Sequence, residues 1–149
     1  MSRESAERMT RYFQSLLESE GFNRGQIDWD EQSNTSDLIF KVEGRNYILI
    51  SDADDEDFAR LVFPNFWPLD SDEEFAAALQ AISLVNGRCK GVKVYASSKN
   101  DNVVATVEFL ISASNPQLSA ALFIRYIRML NSGAEEFARI MREFANQQS

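Results

Sequence analysis

The pattern that most constrains the fold lies near the C-terminus, where Phe123, Ile127, Leu130, Ala134, Phe137, Met141 and Phe144 recur at steps of four, three, four, three, four and three. Only an α-helix returns side chains to one face with that period. The stripe therefore predicts a long helix, opened by Pro116 and running to Ala145, with one side against a core. Gly133 costs about 1 kcal/mol relative to Ala in a helix interior, and Ser132-Gly133-Ala134-Glu135 has the spacing of a helix cap. The register passes through it unbroken, which predicts one helix with a weak point rather than two. Leu122, Tyr126 and Met129 form a second stripe beside the first. A helix on a sheet needs only one apolar face, so this surplus predicts a second cover. Either the N-terminal helix of the same chain supplies it, or a second copy does, and in that case Leu122, Tyr126 and Met129 line a homodimer interface.

The rest of the chain supplies the sheet. Ala6, Met9, Phe13, Leu16 and Leu17 mark a helix from Arg3 to Glu20, with Gly21 as its stop. Gln26 to Asp30 alternates as a short strand. Asp37–Glu43 and Asn46–Ser51 read as a hairpin turning at Gly44-Arg45. The acidic run Asp52–Asp57 reads as a solvated loop, with a weak divalent-cation site as the lesser alternative because the calcium-loop spacing is missing. A strand from Phe58 to Phe66 meets Pro64, which predicts an edge, a bulge or an end there. Ser71 and Glu74 cap a second helix whose face is Phe75, Ala78, Leu79, Ile82 and Val85, stopped by Asn86-Gly87. Gly91–Ser97 and Val103–Ser112 form a second hairpin across Ser98–Asn102, with Val103, Ala105, Val107, Phe109 and Ile111 on one face. The fold class is α+β: an N-terminal helix, an antiparallel sheet of about five strands interrupted by a central helix, and a long C-terminal helix packed on the sheet. No linker or repeat divides the chain, so residues 1–149 read as a single domain.

Composition removes much chemistry. The chain has no His and one Cys, which excludes His-dependent triads, the usual zinc sites and an intramolecular disulfide. Twenty-three acids against 15 bases give a net charge of -8, which opposes capture of nucleic acid or an anionic membrane surface. Arg125, Arg128, Arg139 and Arg142 share the last helix with Glu135, Glu136 and Glu143, so they make no nucleic-acid stripe. The charged N-terminus has no apolar signal segment, and no apolar run approaches the ~20 residues of a membrane span, so the expected location is the cytoplasm. Cys89 stands between Arg88 and Lys90, cations that lower a thiol pKa if they point at it, but nothing is present to activate or resolve it. No phosphate-cradling glycine loop occurs. The sequence thus offers no catalytic residue, no metal-ligand set and no cofactor motif.

One string stands apart. Phe63-Pro64-Asn65-Phe66-Trp67-Pro68 places three large rings among two prolines, which remove backbone donors and restrict the residues before them. These rings either fold back as a plug of the core or form a partner-binding patch of Phe63, Phe66 and Trp67, since aromatic side chains are favoured anchors at interface centres.

The second half of the chain resembles a known family. Ser71-Asp-Glu-Glu-Phe-Ala-Ala-Ala-Leu79, Ile82-Ser-Leu-Val-Asn86, the hairpin of Val92–Tyr95 and Val103–Ile111, and Ala134-Glu-Glu-Phe137 in a long helix are similar to the YbjN-like family of bacterial proteins, connected with sensory transduction regulation. The likeness runs from Leu61 to Met141 and rests on element order with Asn86, Phe109 and Phe137. It implies a fold similar to that of type III secretion chaperones, often dimeric, without established enzymatic activity. Chaperones of that fold are small and acidic and hold an extended segment of another protein in hydrophobic grooves. The expectation is a non-enzymatic, chaperone- or regulator-like interaction module: a homodimer that binds a segment of an unidentified protein partner through an apolar patch or a sheet edge. The alternative is a small-ligand sensory domain with an apolar pocket.

Overall fold

The computed structural model describes residues 2–112 and 114–147. The elements run α1 (Arg3–Ser19), β1 (Gln26–Asp30), β2 (Thr35–Val42), β3 (Arg45–Asp52), β4 (Asp55–Pro68), α2 (Asp72–Arg88), β5 (Lys93–Ala96), β6 (Asn102–Leu110), α3 (Gln117–Ala120) and α4 (Phe123–Gln147). The fold is α+β, and the sheet has six strands in the order β1-β2-β3-β4-β6-β5. The β1/β2, β2/β3, β3/β4 and β5/β6 ladders are antiparallel. Bonds from Ile111 N–H to Asp57 O and from Leu69 N–H to Asp101 O show β4 and β6 running in opposite directions. Among the described residues no helix is long and apolar enough to cross a membrane. The chain forms two compact units, one reaching up to Val62 together with Glu108–Arg125, the other Phe63–Val107 together with the chain from Tyr126.

In the first unit, α1 covers β1, β2 and β3. Ser2 caps it by accepting from Ser5 N–H, and Gly21, at φ +84°, closes it with bonds from Gly21 N–H to Glu18 O and from Phe22 N–H to Leu17 O, a reversal that a side chain would strain. Phe13 is fully buried, its ring 5.0 Å from Phe123 and 6.4 Å from Phe109. Phe40 joins this cluster, 5.8 Å from Phe123 and 5.6 Å from Tyr47. Beneath α1 the buried hydroxyls of Thr10 and Ser36 satisfy each other at 2.8 Å. The β2/β3 hairpin turns on Glu43 and Gly44, at φ +51° and +81°, one residue earlier than the expected Gly44-Arg45. Two successive positive φ values fit the strands' right-handed twist.

The acidic run is not a loop. Asp52 ends β3, Asp55 starts β4, and Ala53-Asp54 is the whole connection. Ala53 is buried, its N–H bonded to Asn34 O, which fixes a tight turn despite the charges. β4 continues past Pro64 to Pro68, between β3 and β6, with the irregularity at Asn65 (φ +49°). Asn tolerates the left-handed region, so the strand bends there without ending.

In the second unit, α2 runs through Arg88, one residue beyond the expected stop at Asn86-Gly87. Asn86 instead binds β5: its side chain accepts from Val94 N–H at 2.8 Å and donates to Val94 O at 3.0 Å. The buried face of α2 is Ala78, Ala81 and Val85, while Leu79, expected inward, is 49% exposed. The expected face holds at Ala78 and Val85, with Phe75 and Ile82 half-buried; Leu79 alone falls outside it, because α2 is apolar around much of its circumference.

The last helix begins at Phe123 rather than Pro116. Pro116 starts only the four-residue α3, and Leu122 N–H then bonds back to Ser119 O, a tighter step that separates α3 from α4. Beyond that, α4 is continuous through Gly133. A Cβ at Gly133 would lie 2.8 Å and 2.9 Å from the two methyls of buried Val92, so glycine is present for close approach and not as a break. Gly133→Ala is therefore expected to destabilise by about 1 kcal/mol, overpacking of 1–3 kcal/mol outweighing the gain in helix propensity. Gly87→Ala, with nothing within 4 Å of its Cβ position, is expected to stabilise by a similar amount. Paired thermal melts check both signs.

Candidate functional site

The aromatic string is brought together by the second unit. Phe63 and Phe66 stack at 5.4 Å with planes 9° apart, and Phe66 and Trp67 each meet Phe137 edge-on at 5.7 Å. Trp67 donates its indole N–H to Glu74 at 2.9 Å, while Glu74 N–H is capped by Ser71 Oγ at 3.0 Å. All three string rings are half-buried. Phe66 and Trp67 are thus anchored on a core ring, which supports the plug reading for most of the string. One flank of Trp67 also lines a groove, with Ser71, Glu73, Glu74 and Ala77 on one side and Met141, Phe144 and Ala145 on the other, enclosing about 330 Å³. Ala76, Gln80 and Gln147 continue it past Phe144. Its lining is aromatic and aliphatic at Trp67, Ala77, Met141, Phe144 and Ala145 and polar at Ser71, Gln80 and Gln147, and its charged members are the acids Glu73 and Glu74.

The three dimer candidates separate. Leu122 lies in the turn before α4 and is 45% exposed. Tyr126 and Met129 are half-buried, and the Met129 methyl sits over Gly91, so part of the surplus is covered within the chain. Phe13 of α1 packs on the neighbouring Phe123 of the first stripe.

Leu122 has other company, which sequence reasoning missed. Leu118, 68% exposed, stands one turn earlier, and Ser119 Oγ donates to Leu110 O at 3.1 Å beside the 75% exposed Leu110. The signal was in the sequence: Phe109–Ile124 is the longest stretch without a charged residue. Scattered surface leucines are ordinary, but three in one uncharged segment are not. The sheet edges offer less. β1 carries Asp28 and Asp30 and β5 is four residues long with Lys93, both features that blunt strand addition.

Titratable groups give no catalytic constellation. Burial pushes the Cys89 thiol up, Glu136 adds to this, and Arg88 opposes it without prevailing. Arg88 is engaged by Glu136 at 3.6 Å, and the thiol is left unactivated, as the sequence reading expects. Arg139 forks to Glu136 and Glu143, holding Glu136 below the usual carboxylate range. Among the described residues no group of three or more Cys, Asp or Glu side chains converges to hold a metal ion.

Burial holds the Asp37 carboxyl above its ordinary value, opposed by the hydrogen bond from Thr35 Oγ1 at 2.9 Å and reinforced by Asp30 and by Asp28, its direct cross-strand partner. A carboxyl raised in the folded state binds its proton more tightly there than in the unfolded chain. Stability therefore falls as pH rises from the ordinary carboxylate range through the raised value, and the loss persists at neutral pH. Asp37→Asn keeps the Thr35 acceptor and is expected to stabilise by about 0.5 kcal/mol at neutral pH, the size of a cross-strand like-charge pair. Urea titrations of both proteins check this, with the advantage vanishing in acid.

No curated protein matches the chain. The sequence model of the YbjN family, described as "Putative bacterial sensory transduction regulator", matches residues 4–143, from the first turn of α1 nearly to the end of α4. With that span matched, the chain belongs to the YbjN family.

Proposed function

We propose that this protein is a non-enzymatic, cytoplasmic regulator that acts by contact with other protein surfaces: it pairs with a second copy of itself and holds a segment of a partner protein. The observation that carries this reading is the exposure of Leu110, Leu118 and Leu122 within one uncharged segment, with Ser119 Oγ bonded to Leu110 O. In a chain of net charge -8, two copies repel over most of their surface. An uncharged apolar face meets its own copy without that repulsion, and a two-fold contact puts each leucine of one copy within reach of the other's. Leu122 remains in the dimer set, joined by Leu110 and Leu118. Trp67 is kept as the partner-binding member of the aromatic string, while Phe63 and Phe66 stack on each other and Phe66 rests on Phe137.

A small-ligand sensor is less well supported. The apolar cavity beside α1, bordered by Met9, Tyr12 and Pro116, holds about 110 Å³, under the ~300 Å³ at which ligand pockets begin, and the Trp67 groove of about 330 Å³ is open to solvent and carries Ser71, Glu73 and Glu74 rather than a mostly apolar lining.

Sedimentation equilibrium tests the pairing. The wild type is expected as a dimer, and Leu118→Glu/Leu122→Glu, which places like charges on both sides of the contact, is expected to weaken it by about a hundredfold without altering the thermal melt. A wild type that stays monomeric at high concentration overturns the pairing.

A further inference from the structure

The groove at Trp67 has a chemistry of its own, and it names the kind of segment that fits. Trp67, Ala77, Met141 and Phe144 give it an apolar and aromatic lining, and its charged lining residues are Glu73 and Glu74. Their roles differ. Glu74 is occupied by the Trp67 indole N–H at 2.9 Å and fixes that ring, whereas Glu73 is exposed on the first turn of α2. Among the described residues, neither Lys nor Arg lines the groove or its continuation past Ala76 and Gln80. Asp70 and Asp72, both exposed, flank it in sequence and add to the same sign. The residues offered to an incoming chain are therefore apolar surface, an indole and an unshared carboxylate.

We infer that this groove binds a cationic amphipathic segment of a partner protein, its apolar side chains against Ala77, Met141 and Phe144 and a Lys or Arg placed between Glu73 and the Trp67 ring. This rests on the reading of the protein as a segment-binding regulator and gives that segment its charge. Three arguments select it. An acidic segment would bring like charge to Glu73 on a protein of net charge -8. A purely apolar one would leave the Glu73 carboxylate partly desolvated and unpaired at the groove's lip. A cation pairs with the carboxylate and also gains from the electron-rich indole, an attraction strongest for Trp among the aromatic side chains. The alanines on the α2 side let the segment's backbone approach closely.

Trp67 is its own reporter. The chain has two tryptophans, and Trp29→Phe leaves Trp67 as the remaining one. Titrating full-length Trp29→Phe protein with a designed amphipathic helical peptide of Leu and Lys is expected to give a saturable change in Trp67 emission. The same peptide with Glu for Lys is expected to give none. Adding Glu73→Lys is expected to weaken the Leu/Lys peptide by about fivefold to tenfold, one exposed charge pair reversed. Glu31→Lys, which changes net charge equally on the β1–β2 turn, is expected to leave it nearly unchanged, and melts show that both variants fold.

Equal weakening by Glu31→Lys and Glu73→Lys would reduce the effect to bulk charge attraction and overturn the groove. Saturation by the Leu/Glu peptide instead would overturn the cationic assignment while leaving segment binding in place. Silence of Trp67 towards both peptides would overturn the groove as a docking site, and with it the segment-holding half of the proposed function.

Discussion

Phe137→Ala is expected to lower the stability of the protein by about 4 kcal/mol, within the range for truncating a buried phenylalanine. Phe137 is fully buried in α4, and the rings of Phe66 and Trp67 both rest edge-on against it. The variant loses the transfer energy of the ring, leaves a cavity, and forfeits two aromatic contacts of about 0.5–1.5 kcal/mol each. Urea unfolding followed by Trp67 emission in the Trp29→Phe background measures the loss. The native emission is also expected to shift, because the ring that fixes the indole has gone. A loss below about 1 kcal/mol would mean that the string is held by something other than Phe137.

Phe13→Ala is expected to cost about as much, 3–5 kcal/mol, at the other unit's core. Phe13 is fully buried and contacts Tyr12, Phe109 and Phe123 at 5.7, 6.4 and 5.0 Å. Phe109 and Phe123 bracket the uncharged stretch that carries Leu110, Leu118 and Leu122, so the ring of Phe13 is one anchor on which that face is hung. Chemical denaturation gives the stability loss. Sedimentation of the still-folded variant below its melting temperature is expected to show weakened pairing, although Phe13 itself is inaccessible.

Much of this fold was legible in the sequence where one periodicity had no rival. The stripe from Phe123 to Phe144 could be nothing but a helix, and Val103 to Ile111 alternated cleanly enough to place all five named side chains in the core. Gly44 and the Ser71 cap carried local backbone chemistry that needs no tertiary context. What failed depended on partners distant in sequence. The role of Gly133 follows from Val92, and the exposure of Leu79 from a helix apolar around much of its circumference. The tight turn at Ala53 follows from Asn34 O, which no reading of the acidic run alone reveals.

The candidate site was legible in part and for the same reason. Trp67 was marked by its oddity among prolines, but its neighbours Glu73, Ala77 and Phe144 come from two helices far apart in sequence. Phe66 looked equally suited to a partner, yet it stacks on Phe63 and leans on Phe137. Leu122 stood in the second stripe of the last helix, but its companions Leu110 and Leu118 lie on β6 and α3 and share no period with that helix.

The central claim is that the protein works by holding another protein, and affinity capture from native-host lysate tests it most directly. The baits are wild type, Glu73→Lys and Leu118→Glu/Leu122→Glu, each shown folded by its melt; Phe66→Asp is unsuitable because it would bury a charge against Phe137. The account predicts one protein retained by wild type in near-stoichiometric amount and lost from Glu73→Lys, with the retained protein carrying a Lys- or Arg-bearing amphipathic segment. An identical set of retained proteins on all three baits, or none on the wild type, would contradict it.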